Sequence, residues 1–103
     1  MGNSMIVRSA LEAANQLKNA ILWVQEQPEI RVQWGDNACA EDLARVEKWI
    51  YQLKQEQVNE VWREVQNISR ILSSDGYDRV RMAEREMQKA VLEAAVEFRD
   101  SGR

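Results

Sequence analysis

Apolar residues in this chain recur three and four apart, the spacing of one face of an α-helix. Val7, Ala10, Ala14, Leu17, Ile21 and Val24 step by 3, 4, 3, 4 and 3. They predict a helix over about residues 5–27, with alanines that let another helix approach closely. Pro28 ends it, because the ring removes a donor and disfavours helix at the residue before. Ser4 is one candidate start; Ser9, with Glu12 three residues on, makes a capping box and is another.

The pattern then changes. Glu29-Ile30-Arg31-Val32-Gln33-Trp34 alternates polar and apolar, which is a strand signal. Nothing else in the chain could pair with a lone strand. Residues 28–36 are therefore expected to be an extended connector laying Ile30, Val32 and Trp34 across a bundle. The alternative is an exposed edge that pairs with a partner or a second copy.

Helical spacing returns at Leu43, Val46, Ile50, Leu53, Val58, Val61, Val65, Ile68 and Leu72. The mean step is about 3.6, suiting a straight helix better than the 3.5 of a coiled coil. Asn37 is a candidate N-cap, and no glycine or proline intervenes before Gly76. The expectation is one central helix over about 37–73, roughly 54 Å long. Lys54, Gln55, Glu56 and Gln57 interrupt its stripe. They read as a solvated gap, a local break, or a polar layer that sets register or binds something. Ser73 to Gly76 makes a turn, with Gly76 suited to a left-handed cap. A last helix over about 78–99 buries Val80, Ala83, Met87, Ala90, Val91, Ala94 and Phe98. Leu92 and Val96 lie off that face and hint at a second contact surface.

These elements predict a single all-α domain over 1–103, with helices at about 5–27, 38–73 and 78–99. The fold class is a three-helix antiparallel arrangement with a long central helix. That helix is too long for its two neighbours to cover. Large apolar strips are rare on monomers, so homodimerisation is expected to complete the fold.

Composition narrows the function. Among 103 residues there is no histidine, so the usual acid–base group near neutral pH and the commonest metal ligand are missing. No glycine-rich phosphate loop and no serine with a plausible base is present. The expectation is a non-enzyme with no metal and no cofactor. The single cysteine, Cys39, excludes an internal disulfide and suits a reducing, cytoplasmic setting; its apolar neighbours mark it as a buried filler. No segment has the length of a membrane span, and the N-terminus lacks a signal-peptide pattern.

Two features could serve binding. The first is the set of four tryptophans. Trp23, Trp49 and Trp62 fall at the margins of their stripes, where interface anchors sit. Trp34, Trp49 and Trp62, with Lys54 and Gln57, are the candidate partner-binding residues of a helical adaptor, chaperone-like carrier or small inhibitor. The second is a pair of basic rows, Arg81, Arg85 and Lys89 on the last helix and Arg45, Lys48, Arg63 and Arg70 on the central one. They offer a nucleic-acid or anionic-partner contact, although the net charge of −3 and the interleaved carboxylates favour a protein partner.

Overall fold

A computed structural model describes residues 4–66 and 78–101. The described residues are helical, with no strand. The elements are α1 (Ser4–Gln25), α2 (Pro28–Trp34), α3 (Asp36–Lys54), α4 (Val58–Val65) and α5 (Asp78–Ser101). The 73–77 turn with Gly76, and the positions Ile68, Arg70 and Leu72, lie outside the described residues.

α1 matches the periodicity: Val7, Ala10, Ala14, Leu17, Ile21 and Val24 are all buried. It begins at Ser4, so Ser9 and Glu12 stand inside the helix and form no cap. At its end, Arg31 Nη1 donates to the Gln25 carbonyl at 3.2 Å.

The expected extended connector is instead the helix α2. Pro28 opens it, the first-turn position where a missing N–H costs nothing. Ile30 and Trp34 stand one turn apart and pack on the core, while Val32 between them is 73% exposed. The alternation that resembled a strand is thus half of a four-residue helical spacing. Gly35, at φ 102°, makes the corner into α3. It is also the N-cap, so the cap expected of Asn37 is not made; α3 starts at Asp36 with no side-chain cap.

The long straight helix is not formed. The chain breaks after Lys54, and Glu56 takes a positive φ of 60°. The backbone N–H groups of Glu56 and Gln57 bond back to Leu53 and Gln52, at 3.0 and 2.9 Å. Beyond the break, α4 doubles back on α3. Trp49 Nε1 donates to the Glu64 carboxylate, 15 residues on; a continuous helix would hold those backbones about 22 Å apart. The polar run 54–57 is therefore the corner of a helical hairpin.

The three-helix arrangement gives way to a ring of four. α1 packs most extensively against α5 and α3, α4 packs against α5, and α3 meets α4. Arg79, at the start of α5, lies over Trp23, near the end of α1, so these two helices run in opposite directions. The short link through α2 turns α3 back along α1, and α4 reverses again. Buried Ala10, Ala13, Ala14 and Ala20 on α1 allow its two neighbours to come close. The core runs the length of the ring, from Val7 through Leu17, Trp49, Leu53, Val61 and Met87, in a molecule of 49 × 21 × 19 Å. No helix of the described residues is long and apolar enough to cross a membrane.

Candidate functional site

The structure separates the candidate binding residues. Trp34 and Trp49 are in the core, Trp49 at 2% exposure. Lys54 ends α3 and Gln57 precedes α4, both exposed. Between Trp34 and Lys54 run the 19 residues of α3, about 28 Å, so these two cannot share a contact. Trp62 is half-buried and packs on the rim of the core.

Trp49 belongs to a polar knot that joins α3 to α4. Its indole N–H and the Lys48 ammonium, at 3.3 Å, both approach the Glu64 carboxylate. The Trp49 hydrogen bond holds the Glu64 carboxyl below its ordinary range, with Lys48 and Arg45 adding to it against the opposing effect of burial. Asp42 is the buried carboxylate that sequence reasoning missed. It accepts from Arg45 Nη1 at 3.4 Å. The signal was its place on the apolar stripe, three residues after Cys39 and four before Val46, both buried. Cys39 is the filler its neighbours implied.

What remains exposed and apolar concentrates on α5, where Met82, Leu92 and Val96 point away from the core at 66%, 43% and 40% exposure. A helix turns about 100° per residue, and two contacts fix the flanks of this one. Gln88 Nε2 donates to the Val65 carbonyl of α4 at 2.9 Å. On the other flank the Arg79 guanidinium sits 4.4 Å from the Trp23 ring centre of α1. Arg81, Arg85, Leu92 and Arg99 fall on the Gln88 side, with Lys89 and Val96 next to them on the outer face. Glu86, Glu93 and Glu97 fall on the Arg79 side. The surface of α5 is therefore uneven in charge. Arg81, Arg85 and Lys89 line the outer side toward α4 beside Leu92 and Val96, with the half-buried Glu84 beneath them nearer the core. Three of the four carboxylates between Glu84 and Glu97 border α1 together with Arg79.

α4 completes the seam. Val58, Val61 and Val65 point inward and Glu64 faces α3, so Trp62, about 200° from Glu64 around the helix, takes the flank next to α5. Gln88 stands level with Val65, and the two helices run in opposite directions. Seven residues further along each, Val58 and Ala95 are level, which brings Gln57 to the height of Val96. Trp62 and Gln57 thus adjoin the α5 stripe, and Lys54 lies just past its end. Among the described residues Arg81, Arg85 and Lys89 make no ion pair, and no group of His, Cys, Asp and Glu is placed to hold a metal.

Compared with known proteins, the chain matches no family model, no curated protein and no solved structure.

Proposed function

We propose that the protein is a non-enzymatic helical interaction module, an adaptor, carrier or inhibitor, that binds another protein along the α4–α5 seam. The observation that carries this reading is the second apolar stripe of α5. One face of the helix supplies Val80, Met87 and Val91 to the core, yet Leu92 and Val96 stay exposed on another. Trp62 supplies an aromatic anchor beside them, and Gln57 a polar rim. A reducing, cytoplasmic setting suits the lone thiol of Cys39.

A second copy of the chain is a weaker candidate for the partner. The stripe Val58, Val61 and Val65, which called for a dimer, is covered within the chain by α5 and α3. Nucleic acid is the second reading, favoured by the row Arg81, Arg85 and Lys89, which makes no ion pair among the described residues.

The test is a purified partner, isolated by affinity capture and titrated calorimetrically against the wild type and against Leu92→Asp/Val96→Asp. Both substitutions are on the surface, so the variant is expected to keep the thermal midpoint of the wild type and to bind at least about tenfold more weakly. Equal binding by the variant sinks the reading. A complex that nuclease dissolves, and whose affinity falls steeply with salt, transfers it to nucleic acid.

A further inference from the structure

The row of cations that runs into the apolar stripe of α5 identifies the kind of partner. We infer that the seam receives an acidic amphipathic helix from a different protein, its carboxylates set against Arg81, Arg85 and Lys89 and its apolar side chains against Leu92, Val96 and Trp62. This inference rests on the α4–α5 seam being the binding surface.

The spacing supplies the geometry. Arg81, Arg85, Lys89, Leu92 and Val96 advance by 4, 4, 3 and 4 residues. They form one line about 22 Å long, or four helical turns. Cations occupy its first half and apolar groups its second. Carboxylates one turn apart on a facing helix meet the same repeat. The three cations make no ion pair within the described chain. Opposite charges can therefore be added without breaking an existing pair, and complementary rows steer association and set register.

The same line disfavours the other occupants. A second copy packed in parallel about a two-fold axis would set Lys89 against its own counterpart. Packed antiparallel about the Leu92–Val96 segment, it would pair the apolar halves but leave Arg81 and Arg85 with no opposite charge. The parallel arrangement brings like charges together in a desolvated seam, where repulsion is strongest, and the antiparallel one uses only half of the line. A nucleic-acid backbone would satisfy the cations but leave Leu92, Val96 and the edge of Trp62 with no apolar partner. A helix carrying both kinds of group leaves nothing over.

The experiment uses the full chain and a synthetic stapled helix as probe, with three Glu one turn apart followed by two Leu. A control peptide replaces each Glu by Lys. Amide shifts are followed by heteronuclear NMR at low and moderate salt. The expected result is that the Glu peptide shifts signals of α5 and Trp62 at sub-millimolar concentration while the Lys peptide does not. Arg85→Glu/Lys89→Glu, which touches only exposed side chains, should weaken the Glu peptide at least about tenfold and gain the Lys peptide. Both effects should shrink with salt.

The inference is overturned if the Glu peptide leaves the seam unshifted at about 1 mM, if the shifts lie elsewhere, or if both peptides act alike. It is also overturned if a short RNA or DNA duplex shifts the seam more strongly at the same salt. A silent Glu peptide together with a purified partner that still depends on Leu92 and Val96 would refute the acidic helix and leave the interaction module standing.

Discussion

Trp49 shows how a side chain at a stripe margin can be read two ways. An indole at the edge of an apolar face suits an interface anchor, but here its N–H meets Glu64 and its ring fills the core. Trp49→Ala should cost about 3–5 kcal/mol, the range for emptying a large aromatic site, measured by urea unfolding. Trp49→Phe keeps most of the ring and should cost less, about 1.5–3 kcal/mol, the range for a hydrogen bond to a charged group. A Trp49→Ala chain as stable as the wild type would return the residue to the list of anchors. The partner of that hydrogen bond sets a pH dependence. The folded pKa of Glu64 lies below the ordinary 4.5, so the unfolded chain takes up the proton more readily. The stability this carboxylate contributes is whole above the ordinary range and is lost as pH falls through the folded value. Glu64→Gln should therefore be less stable near pH 7 and lose less on going from about pH 6 to about pH 3. An unchanged acid limb in the variant would remove Glu64 from the account. None of this was legible beforehand, because a contact between positions 49 and 64 requires a reversal that the sequence pattern does not announce.

That reversal belongs to the element scale, where the sequence was most and least informative. α1 and α5 follow directly from their periodicity. Pro28 and Gly35 mark real corners, and the described positions that the spacing selects all lie inward, although Ala13, Ala20, Asp42, Trp49 and Ala95 are buried beside them without having been selected. A local break at 54–57 was among the readings of the polar run, but the reversal there was not expected, because the chain turns without glycine or proline. Its left-handed residue is Glu56, and non-glycine side chains rarely take that conformation. The polar run Lys54–Gln57 was the only sign. A glycine removes the steric penalty there, so Glu56→Gly should raise stability by about 0.5–1 kcal/mol; a loss would mean that the Glu56 side chain stabilises the corner. The opposite substitution tests the other corner. A Cβ on Gly35 would have room, its nearest neighbour being Ala38 Cβ at 3.8 Å. The φ of 102° is nonetheless strained for any side chain. Gly35→Ala should lose about 1–3 kcal/mol through the backbone alone, with the near-ultraviolet tryptophan spectrum of the folded state unchanged. α2 was missed for a different reason. Seven residues are too few to tell an alternation of two from a spacing of four, and Ile30 and Trp34 satisfy both.

The hairpin changes what the whole molecule asks for. A straight helix of roughly 54 Å would have left an apolar strip bare, and a dimer was its simplest cover. Folded back, α4 places Val58, Val61 and Val65 inside the ring, and the bare strip moves to α5 with cations on its margin. Such a surface suits its own copy poorly, since a parallel two-fold packing of α5 sets Lys89 against Lys89 and an antiparallel one covers only Leu92 and Val96 and leaves Arg81 and Arg85 bare. Light scattering at low ionic strength should therefore give a mass near the 12.0 kDa of one chain. Raising salt screens the cations over a shorter distance while leaving Leu92 and Val96 as apolar as before. Any self-association through α5 should accordingly grow with salt, and Leu92→Asp/Val96→Asp should abolish it. A dimer already complete at low salt, and indifferent to that double substitution, would place the self-contact on another face. Exposed Tyr51 on α3, 64% accessible, is the next surface to test. The α5 seam would then remain free for a second protein, so the oligomeric state and the acidic-helix partner are separable properties of two different faces.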